Sequence, residues 1–152
     1  MIPLIDRPNL ASNSKVTALY TQFKLLLNAL EKRNLPSDVV QFINREVELL
    51  NSMKDDAKSL AKSTKDSQSK IVKLVGKQLK IVPKNYYRKL WLVLGMSSFG
   101  IPLGVVFGMS IGNIALLGTG IPIGMGIGVL IGTKLDNKAY KEGRQLNIEL
   151  KH

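Results

Sequence analysis

Few side chains in this sequence could carry a reaction, and none is spaced to do so. Among 152 residues there is no cysteine, so disulfides, thiol nucleophiles and thiolate-ligated metals are excluded. The one histidine, His152, has no second histidine with which to hold a metal, and a frayed end is expected there. Asp55-Asp56 and the Glu46/Glu48 pair are acidic pairs of the type that acid–base chemistry uses. Both lie on charge-rich, helix-like stretches, where solvated carboxylates are expected. Ser97-Ser98 sits in an apolar stretch with no base near it. Its hydroxyls are expected to bond backbone or a neighbouring helix, not to act as nucleophiles. Gly118-Thr-Gly120 with Gly124 forms GxGxxxG, but no acidic residue follows at the ribose-binding distance and no βαβ pattern surrounds it. The expectation is a non-enzymatic protein with no catalytic residue, no metal and no cofactor.

The elements around these residues are more informative. The chain carries 22 Lys and Arg against 11 Asp and Glu, a formal charge of +11. Residues 1–66 hold ten bases and eight acids, whereas residues 67–152 hold twelve and three. No acid lies between Asp66 and Asp136, and the 44 residues from Leu90 to Thr133 carry no ionisable charge. A nucleic-acid binder would spread its bases over a folded face with aromatics or a known module. Bases gathered at both ends of an apolar run point instead to a bilayer with anionic headgroups, and nucleic acid is not an expected partner.

About 20 apolar residues cross a hydrocarbon core. The run therefore divides into two crossings, about 90–110 and 114–133, around a polar turn at Ser110-Ile111-Gly112-Asn113. Eleven of the 13 glycines lie in it. They recur every fourth position at Gly100, Gly104, Gly108 and Gly112, and again at Gly120, Gly124, Gly128 and Gly132. The two blocks are an internal repeat offset by 20 residues. Such a row leaves a smooth helix face on which another backbone can pack closely. Two uses are open: joining the arms of one hairpin, or joining copies into a homo-oligomer. Pro102 and Pro122 are expected to kink the crossings, or else to start fresh helices and give three short segments.

Ahead of the run, Lys70, Lys73, Lys77, Lys80 and Lys84 form one helical stripe, with Val72, Val75, Leu79 and Val82 opposite. Residues 70–89 are thus expected to be a basic amphipathic segment in the headgroup plane. Tyr86, Tyr87, Arg88, Lys89 and Trp91 mark the lipid–water boundary. With Lys134, Lys138, Lys141 and Arg144 on the far flank, the positive-inside rule puts both termini in the cytoplasm. The N-terminus has no signal-peptide pattern.

Upstream, residues 1–12 read as irregular. Val16, Leu19, Tyr20, Phe23, Leu26, Leu27 and Leu30 stripe a helix over 14–33, and Asn34-Leu35-Pro36 ends it. Ser37 is the expected cap of a second helix with Val40, Ile43, Val47 and Leu50 inside. This helix is expected to run on through the Ser/Lys-rich 58–70 toward the membrane. The picture is all-α: a cytosolic helical hairpin and stalk over 13–69, a glycine-zipper transmembrane hairpin over 90–133, and a basic cytosolic tail over 134–152. Its thin apolar face calls for self-association or a cytoplasmic protein partner.

Over Phe99–Asn147, about a third of the chain, the sequence resembles the glycine-zipper membrane proteins of bacteria. The two GIPxGxxxGxxxG blocks and the tail Lys134-Leu-Asp-Asn-Lys…Glu142-Gly-Arg-Gln carry the resemblance. It implies a multi-pass hairpin in the bacterial inner membrane. Because such proteins include channels and oligomeric assemblies, it also puts a pore, controlled by the cytosolic helices, among the expected functions. The alternative is an anchor or adaptor whose N-terminal half recruits a partner.

Overall fold

The computed structural model describes residues 1–7, 14–54, 56–113 and 117–150. It is mostly helical. In order come α1 (Ser14–Glu31), α2 (Ser37–Asn51), α3 (Ala57–Leu79), the short strand β1 (Val82–Lys84) and α4 (Tyr86–Gly95). A π-helical turn (Met96–Gly100), α5 (Ile101–Ile111), α6 (Leu117–Lys141) and β2 (Gln145–Glu149) follow. The strands β1 and β2 pair in a two-stranded sheet. The chain divides into two compact units, one from Met1–Val82 together with the chain from Leu146 onward, the other Pro83–Gln145.

The first unit is a bundle of α1, α2 and α3. From α1, Val16, Tyr20, Phe23, Leu26, Leu27 and Leu30 of the expected stripe are buried, with Leu19 half-buried; from α2 come Val39, Ile43, Val47 and Leu50. Val39 replaces the expected Val40 on the inner face, and Ser37 is the first helical residue behind a Pro36 cap. The expected stalk is absent. The helix breaks after Asn51, and Asp56 caps a new helix by accepting from the Ser59 amide at 3.0 Å. This helix, α3, folds back so that Leu60, Ile71 and Val75 enter the core. Between them its inner face is polar: Thr64, Ser67 and Gln68 are buried. That polar stretch disguises a core face as a solvated stalk.

Residues 1–7 form no regular element, yet they are fastened to the bundle. Ile2 N–H donates to Asn44 Oδ1 at 2.9 Å, and Tyr20 donates its hydroxyl to the Ile5 carbonyl at 2.7 Å. Arg7 Nη2 donates to the carbonyls of Leu50 (2.8 Å) and Met53 (2.8 Å), satisfying the end of α2 where a cation suits the helix dipole. Leu146 from β2 joins the same core. The unit therefore draws its interior from chain on both sides of the apolar run. Asp55 and His152 lie outside the described residues.

In the second unit α4, the π turn and α5 make one continuous helix, Tyr86–Ile111, and α6 is the other arm. Both are long and apolar enough to cross a membrane. At 1.5 Å per residue they reach about 39 and about 36 Å, against about 30 Å of hydrocarbon. Only 17% and 22% of their apolar windows are buried, whereas a soluble core helix would be mostly covered. The arms outrun the expected bounds at both ends, since helix begins at Tyr86 and continues to Lys141. The three-segment arrangement is absent, because Pro122 lies inside α6. The turn begins where expected: Gly112, at φ +67°, ends α5 in the left-handed region that glycine enters without strain.

Candidate functional site: the glycine-packed hairpin and its base

The two arms meet along backbone. On α6, Gly120, Gly124, Gly128 and Gly132 are buried on one face. A Cβ at Gly132 would come 2.5 Å from Arg88 Cα, at Gly124 2.6 Å from Gly100 Cα, and at Gly120 2.6 Å from Gly104 Cα. At Gly128 it would collide with the Trp91 carbonyl. Contacts this short leave no space for a methyl group, so glycine is required at all four positions. Gly100 answers from the other arm, where a Cβ would lie 3.1 Å from the Gly120 carbonyl oxygen, and Gly104 and Gly108 are buried alongside.

Two positions differ from the sequence expectation. A Cβ at Gly112 would meet nothing within 4 Å among the described residues; Gly112 is the cap of α5 and not part of the packing row. Gly95, absent from the four-residue series, belongs to the row: a Cβ there would lie 2.9 Å from Gly128 Cα. Five residues separate Gly95 from Gly100. On an α-helix that step turns well off the face, but through a π turn, with its i→i+5 bonds, it comes back to nearly the same side. The π bond is explicit, the Ile101 amide donating to the Met96 carbonyl. Pro102 gives the turn its physical reason. It has no N–H to donate, and its ring crowds the carbonyl one turn earlier, so a widened turn is favoured there over a tight one. The sequence signal was present as Gly95 five residues ahead of Gly100 with Pro102 just beyond.

Between the charged ends of the arms, most outward-facing positions are apolar. Val93, Phe99, Val106, Met109, Ile123 and Leu130 are among the exposed large side chains, Met109 at 79% and Leu130 at 68%. Ser97 bonds its own helix, donating to the Val93 (3.1 Å) and Leu94 (3.2 Å) carbonyls. This satisfies the hydroxyl within the arm, as backbone bonding of serine predicts.

The base of the hairpin is tied by Asp136, the first acid after a gap of 69 residues. It is 6% exposed. Its Oδ1 accepts from the Tyr87 amide at 3.1 Å and its Oδ2 from the Arg88 amide at 2.9 Å. A carboxylate on α6 thereby caps α4, covering two of the amide donors that a helix start leaves unpaired and placing negative charge at the positive end of the dipole. Tyr86 and Tyr87 meet edge to face, ring centroids 5.3 Å apart, and Trp91 is half-buried one turn on. In the tail, Glu142 sits against Arg144 and holds that guanidinium above its ordinary range.

The lysine stripe divides among three elements. Lys70, Lys73 and Lys77 belong to α3, Lys80 is its left-handed cap, and Lys84 ends β1. The expected apolar face of this stretch is largely covered from within: Val75 and Val82 are buried, and Val72 and Leu79 pack against the bundle core. A helix lying apolar side down in lipid is corrected accordingly; the lysines face outward together with Ser69 and Gln78. Lys70 also carries an ion pair, its Nζ 3.2 Å from Glu46 Oε1. Glu46 is itself buried and accepts from Ser67 Oγ at 2.7 Å. The Glu46/Glu48 pair therefore divides, with Glu46 inside the bundle and Glu48 exposed. Asp56 is held below the ordinary carboxylate value by the Ser59 hydroxyl and then its amide, a cap and not an acid.

Among the described residues no group of acids and histidines could hold a metal. No known protein family, characterised protein or solved structure matches the chain.

Proposed function

We propose that this protein is a non-enzymatic integral membrane protein in which the glycine-packed hairpin anchors the helical bundle, and the bundle recruits a cytoplasmic partner. The observation that carries the reading is the use of the zipper. Its glycines are spent on joining the two arms of one chain, while the outward surface of those arms is apolar. Bases at both ends of the arms support a cytoplasmic placement of the bundle in a bacterial inner membrane, on the resemblance to glycine-zipper proteins. The fold adds a further support: Leu146 shares a core with Leu4, Phe23 and Ile43, which fits an arrangement in which chain on the two sides of the arms emerges on one face of the membrane.

Self-association, as a pore or another assembly, is the second reading. Its specific observation is an outer row, Gly118, Pro122 and Gly126, at four-residue spacing and exposed; a Cβ at Gly118 or Gly126 would meet nothing within 4 Å among the described residues. One measurement separates the readings. The mass of the detergent-extracted particle is expected to be that of one chain plus its micelle. A closed multimer that resists dilution, together with ion leakage from loaded liposomes, would favour the pore. Recovery of the untreated chain in the soluble fraction would reject both.

A further inference from the structure

Beside the Asp136 cap the hairpin base holds a cavity of about 170 Å³. Lys84 and Arg88 line it from one arm's approach, and Thr133, Asn137 and Tyr140 from α6, with Asp136 among them. The lining is cationic and rich in hydroxyl and amide groups. Asp136 adds one negative charge to the lining but makes no ion pair with Lys84 or Arg88 among the described residues; both its oxygens accept from the Tyr87 and Arg88 amides, and the lining stays net positive. The side chains of Lys84 and Arg88 are exposed, and neither makes an ion pair among the described residues.

The level of the cavity is fixed by the chain itself. Arg88 lies two residues before the charge-free run and Thr133 is the last residue of it. The backbones of Arg88 and Gly132 are in contact, so the two ends of the run lie side by side. A bilayer whose hydrocarbon covers that run has its phosphate layer here. A guanidinium presents a planar fork that matches two phosphate oxygens, and an ammonium adds a point charge beside it. Amide and hydroxyl donors from Asn137, Thr133 and Tyr140 can take the remaining oxygens.

From this juxtaposition we propose that the hairpin base is a binding site for a single phosphate group, that of an anionic glycerophospholipid, with Arg88 and Lys84 as its cationic ligands. The inference rests on the anchor reading and deepens it: a particular lipid is held at the foot of the hairpin, beyond the diffuse attraction of a basic surface.

The test uses the full chain in nanodiscs of phosphatidylcholine with a minor fraction of phosphatidylglycerol, released into mild detergent and weighed by native mass spectrometry. The wild type is expected to retain phosphatidylglycerol in preference to phosphatidylcholine. Arg88→Gln is expected to lower that retention roughly tenfold, the scale of one charge-assisted hydrogen bond. Arg88 reaches Asp136 through its backbone amide, so the substitution leaves the cap in place, and an unchanged thermal midpoint checks this. Thr133→Val provides a second variant with the same expected direction. Lys73→Gln, on α3, is expected to change nothing. Inorganic phosphate added at millimolar concentration separates the sources: lipid held against it assigns the headgroup, and displacement assigns a free phosphate and overturns the lipid assignment. Equal retention in wild type and both variants overturns the site. A chain that enters the bilayer without retaining anionic lipid overturns this inference alone, whereas a chain that never enters overturns the anchor with it.

Discussion

At the scale of single residues the hairpin depends on what is missing from a few positions. Gly128 faces the Trp91 carbonyl, whereas Gly126, two residues away, faces open space. Gly128→Ala is therefore expected to force the arms apart and to lower the thermal midpoint of the detergent-solubilised chain. Gly126→Ala is expected to leave it unchanged or slightly raised, because alanine is the better helix former by up to about 1 kcal/mol. Equal effects of the two in a circular-dichroism melt would mean that the arms do not pack on this face. Asp136 supports a second expectation. Asp136→Ala strips the cap from α4 and leaves two amides without their acceptor. The cost expected is about 1–3 kcal/mol, the usual penalty for an unsatisfied buried group. Asp136→Asn, which keeps one acceptor oxygen, should fall between wild type and alanine in the same melt.

At the scale of elements, the sharpest expectation concerns α3. Leu60 is fully buried in the bundle. Leu60→Ala is expected to destabilise the bundle by about 2–5 kcal/mol, as cavity-forming core substitutions do. A stalk in water would hardly register the change, so a denaturant titration of the full chain in detergent distinguishes bundle from stalk. This element also shows why some of the fold was legible in the sequence and some was not. The arms of the hairpin were legible because 44 uncharged residues and a four-residue glycine period leave little else for that stretch to be. The fold of α3 was not, because Thr64, Ser67 and Gln68 occupy its inner face, Ser67 and Gln68 partnered by Glu46 and Gln22, which are distant in sequence. Periodicity in hydrophobicity cannot report a core position filled by a polar side chain. Gly95 was hidden for a related reason: its register depends on a π turn, and a search for four-residue spacing passes over a five-residue step.

At the scale of the whole molecule, the absence of cysteine makes the topology directly measurable. Single substitutions Lys54→Cys, in the loop before α3, and Asn113→Cys, just past the cap of α5, provide two reporters. In sealed inverted membrane vesicles a membrane-impermeant maleimide is expected to label Cys at 54 and to spare Cys at 113 until detergent is added. Labelling of both positions in intact vesicles would place the turn on the cytoplasmic face and remove the two-crossing arrangement.

Leu146 packs among residues contributed by α1, α2 and α3, yet it leaves the ribosome after both apolar arms have been made. The bundle, though encoded first, thus lacks one piece of its interior until both arms have been synthesised. Synthesis of this chain is expected to end with the bundle closing around a segment that arrives last, and on the proposed anchor reading this would couple completion of the fold to insertion of the arms.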